Sequence, residues 1–302
     1  MNSTLENAIP TKDIEAGMRI EVREIGIPPR PAILAEIESE MRKDEPDYKH
    51  LADLIGSDVS LAASLIKVTN SPFFGFNNHV RSIREALLVL GLRIIANTIA
   101  GLSLGRAFPK IPSLERFWDS SARSARVSGW LAQRLPSGHR VRVDDAYTYG
   151  LFHDCGVAVL MVPFPEYQGI LQLANQEPMR RFTDIEDEAL SINHAIMGSE
   201  LAENWRLPVE IHTAIRHHHD ATVLAATDNS PLSPLARRLI AVAQTAEYLT
   251  QGATGLSRTC EWDKLGPICL DILGLDDEAL QSLVAECGDV VTGQDAASIF
   301  GP

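Results

Sequence analysis

Three observations on the sequence predict an all-α fold. Apolar residues recur at helical spacing along most of the chain, as at Leu61, Leu65 and Val68. No sustained period-two alternation marks a strand. Prolines, glycines and capping residues divide the chain into stretches of helix length. With 302 residues, 45% of them hydrophobic, the chain can bury a large core as one large or two intimately packed domains.

Residues 1–26 carry the weakest pattern and read as a lead-in or linker. The run Ile27-Pro28-Pro29-Arg30-Pro31 stiffens the approach to a first helix over 32–41, because proline fixes φ. A second helix follows Pro46. A third starts near Ser57-Asp58 and ends at Asn70-Ser71-Pro72, where proline forbids continuation. Ser82-Ile83-Arg84-Glu85 reads as a capping box, the serine oxygen toward the N3 amide and the glutamate back toward the cap amide. Its helix runs to Leu90, Gly91 breaks it, and a longer helix covers about 92–108. These five helices make an N-terminal lobe over 27–110.

After Pro109-Lys110-Ile111-Pro112 a long helix covers about 113–135. Residues 143–154 form a helix ending in His153-Asp154, and a short apolar helix follows over 157–161. Helices near 164–176, 184–205, 208–219 and 234–251 complete a second lobe over 111–252. Pro208 suits a first turn, and Gly252 reads as the stop after the last of these. Residues 253–302 form a C-terminal helical extension with one helix over about 277–290. Trp118, Trp130 and Trp205 fall among apolar neighbours and are expected in the core.

Composition narrows the function classes. Lys plus Arg number 27 and Asp plus Glu 40, so the net charge of −13 opposes a nucleic-acid partner. Cys155, Cys260, Cys269 and Cys287 lack C-x-x-C spacing and read as free thiols in a reducing compartment. No apolar stretch is expected to reach the roughly 18–20 residues that span a bilayer. The start, Met1-Asn2-Ser3-Thr4-Leu5-Glu6, lacks the basic and apolar segments of an export signal. A cytoplasmic location with no membrane partner is the expectation.

The chemistry-bearing residues begin with His153-Asp154 in Tyr149-Gly150-Leu151-Phe152-His153-Asp154-Cys155-Gly156. Adjacent imidazole and carboxylate groups can share one hard or borderline metal ion. Downstream stand His194 and the run His217-His218-His219. In an all-helical chain this pattern resembles the HD superfamily of metal phosphohydrolases. The first lobe sharpens the likeness: Asp58-x-x-Leu61, Leu65-Ile66-x-Val68-Thr69-Asn70-Ser71, Phe74-Gly75, Ser82-Ile83, Ala86 and Leu90-Gly91-Leu92 resemble the HDOD family, the HD-related output domain. Pro28-Pro29-x-Pro31 and Glu200-Leu201-x-x-x-Trp205-x-Leu207-Pro208 extend it, so that it spans about 27–250. The resemblance implies a two-lobed helical fold whose second lobe is a degenerate HD-like bundle.

It also implies which ligands are lost and which remain. Catalytic HD hydrolases carry a first histidine in a W-x-H-S-like stretch, and Trp118-Asp119-Ser120-Ser121 puts Ser120 there, a poor ligand. Asp119 lies about 100° around the helix. The late aspartate of those enzymes falls at Gln244 in Ala241-Val242-Ala243-Gln244, with Glu247 three residues on as a speculative replacement. By likeness to the HD-GYP phosphodiesterases, His194-Ala195-Ile196-Met197-Gly198 and His218-His219-Asp220 match the ligands of a second metal. Asp154, His194, His218 and His219, with His153 beside them, thus permit one Fe, Mn or Zn ion, or form a hydrogen-bonded polar core without metal.

Val157 stands where active relatives often carry lysine, and no Gly-Tyr-Pro follows the histidine pair. The expected function is therefore a non-catalytic bacterial regulatory protein working through protein contacts. Receiver, diguanylate cyclase, phosphodiesterase or kinase components are its expected partners. A receiver domain is not expected within the 26 residues before the helical core. The alternatives are a metal-dependent phosphohydrolase on a nucleotide or cyclic dinucleotide, and a small-ligand sensor. Among lesser candidates, His212 and Arg216 read as a solvated helix face, and Phe73, Phe74 and Phe76 beside Asn70 as lobe packing or a partner loop. Cys155 is an oxidation sensor only if something lowers its pKa.

Overall fold

A computed structural model describes residues 26–70, 79–226, 230–256 and 258–292. Among these residues the regular structure is helical, and no strand occurs. The first group comprises α1 (Ala32–Met41), α2 (Tyr48–Gly56), α3 (Val59–Thr69) and α4 (Ile83–Leu104). Side-chain caps start three of the four, as short polar residues at helix N-termini should. The Asp47 carboxylate accepts from the His50 amide at 2.9 Å, and that of Asp58 from the Leu61 amide at 2.8 Å. Arg106 then reaches back to Asp58 at 2.9 Å. Asp58→Ala should cost about 1 kcal/mol. Thermal unfolding should show it as a midpoint lower by about 2–4 °C; an unchanged midpoint would mean that α3 needs no cap.

The capping box at Ser82 is half as expected. The Glu85 amide donates to Ser82 Oγ at 3.2 Å, but the Glu85 carboxylate accepts from the Arg81 amide at 2.8 Å, one residue before the cap. Gly91 breaks the run as expected: at φ +76° and ψ 162° it is non-helical, so α4 is two helical stretches that meet at a kink, in a conformation that side chains disfavour. The Asn70 side chain bridges to Val80 in both directions at 2.7 Å, closing the 71–78 segment. Phe73, Phe74 and Phe76 lie in that segment, outside the described residues.

One sequence expectation needs correction here. Residues Ile83–Ala107 include an 18-residue window of mean hydropathy 1.9, apolar and long enough to cross a membrane by composition alone. In the fold 61% of that window is buried, because α4 is the core helix on which α1, α2 and α3 pack.

The second group contains α5 (Pro112–Ala132), α6 (Val143–Phe152), α7 (Cys155–Met161), α8 (Tyr167–Gln176), α9 (Phe182–Leu190), α10 (His194–Asn204), α11 (Val209–His217), α12 (Ala221–Ala225) and α13 (Pro234–Thr254). α14 (Glu261–Leu273), α15 (Asp277–Glu286) and α16 (Gly288–Thr292) follow. α5 packs on α6 and α13, α10 lies between α7 and α11, and α14 lies along α13. Trp118 and Trp205 are buried as expected. Trp130 is only half-buried, with the Arg134 guanidinium over its ring at 4.2 Å.

Four helix assignments differ from the sequence reading. The expected 184–205 helix is two, α9 and α10, because Ser191 turns left-handed at φ +57° and Asn193 caps α10 from its side chain. The stop after α13 is Gly255 at φ +69°, not Gly252, which stays inside the helix. The 253–302 region contains α14, which Gly266-Pro267 disguised: both residues sit inside a continuous helix. The expected 277–290 helix is the pair α15 and α16.

The two groups are joined by polar bridges. Trp205 Nε1 donates to the Pro28 carbonyl at 3.0 Å, and Arg206 meets Glu38 at 3.0 Å. Arg93 on α4 pairs with Asp144 at 2.8 Å and Asp145 at 3.1 Å on α6.

Candidate metal centre

The second group gathers every sequence-singled metal candidate at one place. His153 follows the last residue of α6, and Asp154 occupies the turn before α7, so the pair lies past the helix end and not within it. His194 opens α10. His218 and His219 fill the turn between α11 and α12, where the Asp220 carboxylate accepts from the Thr222 and Val223 amides at 3.0 Å. Asp220 is therefore a cap and a partner of Arg181, not a ligand.

Glycine makes the convergence possible. A Cβ on Gly156 would overlap the His194 carbonyl and lie 2.6 Å from the Gly198 amide nitrogen, so α7 and α10 touch backbone to backbone. That contact brings His194 up to Asp154.

The histidines are oriented from behind. The Nδ1 atoms face acceptors: the Gly150 carbonyl for His153 at 2.9 Å, the Ile215 carbonyl for His218 at 2.6 Å. For His194 the acceptor is the Glu186 carboxylate at 2.7 Å, and for His219 that of Glu261 at 2.6 Å. Carbonyl and carboxylate oxygens can only accept, so each Nδ1 carries hydrogen and, in the neutral ring, each Nε2 presents a lone pair. Three of these lone pairs converge. His194 Nε2 lies 3.2 Å from His218 Nε2 and 3.0 Å from His219 Nε2, while Asp154 Oδ1 stands 3.3 Å from His218 and 3.5 Å from His194.

This donor set fits a metal ion. Four electron-rich atoms facing one another repel unless a cation or proton lies among them. Ligands about 2.1 Å from a shared ion lie about 3.0 Å apart at right angles and about 3.4 Å apart at the tetrahedral angle. The observed spacings of 3.0, 3.2 and 3.3 Å fall in that range and the fourth, at 3.5 Å, lies just beyond it; the outer carboxylates match the usual support of ligating histidine. Three imidazoles and one carboxylate suit Fe, Mn or Zn. A second, smaller group joins His153, Asp154 and Glu247. Asp119, exposed on α5, belongs to neither.

The fields follow from these contacts. Burial pushes the His218 imidazole down to about 3, and the neighbouring His219 adds to it, so His218 stays neutral. For His153 burial acts the same way, but the Asp154 and Glu247 carboxylates override it and hold the ring up at about 9. Burial would raise the Glu261 carboxyl, yet His219 and Lys264 hold it down at about 2. Burial drives the Cys155 thiol far up and the Asp154 charge adds to this, which removes Cys155 as an oxidation sensor. Of the remaining candidates, Val157 is buried among apolar residues, and Arg216 is exposed 4.0 Å from Glu200.

Sequence reasoning missed Glu186 and Glu261. Glu186 is fully buried and also accepts from the Tyr167 hydroxyl. The residues lie eight positions before His194 and 42 after His219, with no spacing that marks them. The one available signal was an acid on an otherwise buried helix face, visible once α9 and α14 are recognised as helices.

Comparison with known proteins follows the same lines. The HDOD domain family matches residues 27–221. A Treponema pallidum (strain Nichols) protein described only as uncharacterized is 28% identical over 215 residues, 70% of this chain. The chain spans 41% of the length of that relative. Among solved structures, a candidate signal transduction protein of Marinobacter aquaeolei VT8 is 26% identical with a TM-score of 0.63, covering 90% of this chain and 59% of its own. An HDOD domain protein of unknown function from Geobacter sulfurreducens is 23% identical with a TM-score of 0.63, covering 92% and 95%. A candidate phosphohydrolase of Shewanella amazonensis SB2B is 19% identical with a TM-score of 0.65, covering 93% and 98%. The last two are likenesses of fold alone.

Proposed function

The chain belongs to the HDOD domain family, and on that premise we propose a non-catalytic regulatory module of bacterial signalling that acts through protein contacts. In this reading one divalent cation, held by Asp154, His194, His218 and His219, staples the second helical group together. The observation that carries it is the closed convergence of three anchored imidazoles on one carboxylate. The three rings are at most 8% exposed, and Asp154, at 31%, is the one ligand with appreciable access to solvent. Structural metal sites are closed in this way, whereas catalytic sites keep an open position. Ser120, Val157 and Gln244 support the same reading by removing a ligand, a phosphate-steadying cation and a second ligand from the places where hydrolases carry them.

A cation there would tie the α6–α7 turn, the start of α10 and the α11–α12 turn into one unit, with α9 and α14 behind them through Glu186 and Glu261. Partners in such a module would be receiver, cyclase, phosphodiesterase or kinase components, read by helical surfaces that the staple keeps in register.

The test is metal analysis joined to an activity assay. Purified full-length protein should retain one equivalent of Fe, Mn or Zn after exhaustive dialysis. Chelation should lower its unfolding midpoint, and cyclic di-GMP should not be turned over. Turnover that rises with metal content would instead establish a phosphohydrolase. A chain that retains no metal and is unmoved by chelator would return the histidines to a polar core.

A further inference from the structure

We propose that Arg30, Arg42 and Arg206 form a surface that recognises a phosphorylated side chain on a partner protein. The inference rests on the protein-contact reading above and names the chemistry of one such contact. The surface lies at the seam between the two helical groups and shares no residue with the histidine cluster. Three guanidinium groups meet there on one carboxylate. Arg30 Nη1 donates to Glu38 Oε2 at 2.8 Å, and Arg206 Nη1 donates to both Glu38 oxygens at 3.0 and 3.1 Å. Arg42, one turn after Glu38 at the end of α1, donates to Oε1. Among the described residues no other carboxylate pairs with any of the three. The Arg30 hydrogen bond above all holds the Glu38 carboxyl below its usual range, so it stays ionised. Two positive charges remain without a partner. Like charges that share one carboxylate repel unless a further anion lies among them.

The outer two arginines keep donors free. Arg42 is 69% and Arg206 61% exposed, and each gives Glu38 only one of its nitrogens. The remaining N–H groups form the planar fork that takes two oxygens of one phosphate. Arg30 serves differently. It is 18% exposed, gives Nη2 to the Leu34 carbonyl at 3.2 Å, and its Nε is buried with no acceptor. Its charge is therefore poorly screened by water and acts on an anion that the other two hold.

The backbone supplies an independent observation. Arg206 follows α10 at φ +55°, the left-handed region that favours glycine. The Arg206 amide donates to the Glu203 carbonyl at 2.9 Å and the Leu207 amide to that of Ala202 at 3.0 Å, bonds that close a helix at a position usually taken by glycine. An exposed ion pair stabilises too little to offset that strain by itself. Strain retained under a side chain gathers at ligand clamps and switch regions. Arg30 and Arg206 also fall at the open positions of Pro28-Pro29-x-Pro31 and Trp205-x-Leu207-Pro208, so likeness to the family assigns neither. The bond from Trp205 Nε1 to the Pro28 carbonyl at 3.0 Å holds those two segments side by side.

Charge selects the ligand. A phosphoryl group brings nearly two negative charges at neutral pH and three acceptor oxygens, which match the two unpaired positive charges; a carboxylate brings one. The surroundings select its carrier. Met41 beside Arg42, and Val209 three residues after Arg206, are exposed apolar side chains. An open basic surface with apolar flanks suits a group carried on another protein, whose neighbouring residues add contact.

The experiment follows the fluorescence anisotropy of a labelled peptide, with leucines on both sides of one phosphoserine and no other charged side chain, on full-length protein. Wild type should bind it at least about tenfold more tightly than the same peptide with plain serine. Arg206→Gly removes a guanidinium and relieves the backbone. It should weaken phosphopeptide binding by about tenfold without lowering the unfolding midpoint. Arg42→Gln, whose arginine contacts α1 alone, should weaken binding likewise, and it decides the case if Arg206→Gly loses stability. No preference for the phosphopeptide, or undiminished binding by both variants, would overturn the proposal and leave the arginines as ties of the seam. Inorganic phosphate that displaces the peptide at equal or lower concentration would assign the surface to the free ion and overturn the partner. None of these outcomes bears on metal content or turnover, by which the regulatory reading stands or falls separately.

Discussion

His194→Ala should strip the tightly held metal and lower the stability of the protein by about 3–5 kcal/mol. The two effects have separate causes. Metal is lost because one of three converging imidazoles is removed. Stability is lost because Glu186, fully buried on α9, keeps its carboxylate but loses the His194 Nδ1 at 2.7 Å. Its remaining side-chain partner is the Tyr167 hydroxyl, which cannot compensate a buried charge. The double variant His194→Ala with Glu186→Gln separates the causes: it should regain much of the stability, as judged by urea unfolding, and none of the metal. If the double variant is no more stable than the single one, Glu186 is not the source of the cost.

Gly156→Ala comes second in expected size. The added methyl group meets backbone and not a flexible side-chain end: the His194 carbonyl, and the Gly198 amide nitrogen at 2.6 Å. Backbone cannot swing aside, so α7 and α10 must part. Overpacking a core usually costs about 1–3 kcal/mol, and a backbone clash belongs at or above the upper end. Because His194 opens α10, the same shift moves its Nε2 from the other ligands. Thermal unfolding and metal content should fall together. A variant that binds metal normally would show that the α7–α10 contact does not set the ligand geometry. Gly198→Ala is the control: its Cβ would meet the Ile215 side chain at 3.0 Å and the Gly156 amide nitrogen at 3.1 Å, a smaller intrusion, and should cost less.

Much of the architecture was legible without coordinates, for physical reasons that are local. The limits of α1, and the approach to α4 through Ser82, rest on prolines, caps and helical spacing that act within a turn or two of the chain. Where those signals conflicted, the reading failed. Gly266-Pro267 hid α14, because the neighbouring packing on α13 outweighs the helix propensity of both residues. Ser191 and Asn193 divided a stretch whose apolar pattern continues across them. The break at Gly91, by contrast, was legible, because the positive φ there suits glycine.

The site divides in the same way. Asp154, His194, His218 and His219 were identifiable as a set because motif spacing and likeness to a family name ligands directly. Glu186 and Glu261 were not, because an outer carboxylate has no required distance in sequence from the ring it serves. Glu247 lay between: its shared helix face with Gln244 was readable, but its reach to His153 was a matter of side-chain length and of how α13 lies against α6.

By itself the sequence determined the helical class, the family, and the four residues that meet in the principal cluster. Each of these depends on residue identity and on spacing within one segment. Tertiary structure alone decided that the imidazoles turn their Nε2 atoms inward, that Asp154 turns one oxygen to His194 and His218 and the other to His153, and that Gly156 is the point at which two helices touch. Those properties depend on distances between segments dozens of residues apart. Such distances are set by close packing of the whole core, in which even a methyl group at Gly156 would collide with the His194 carbonyl.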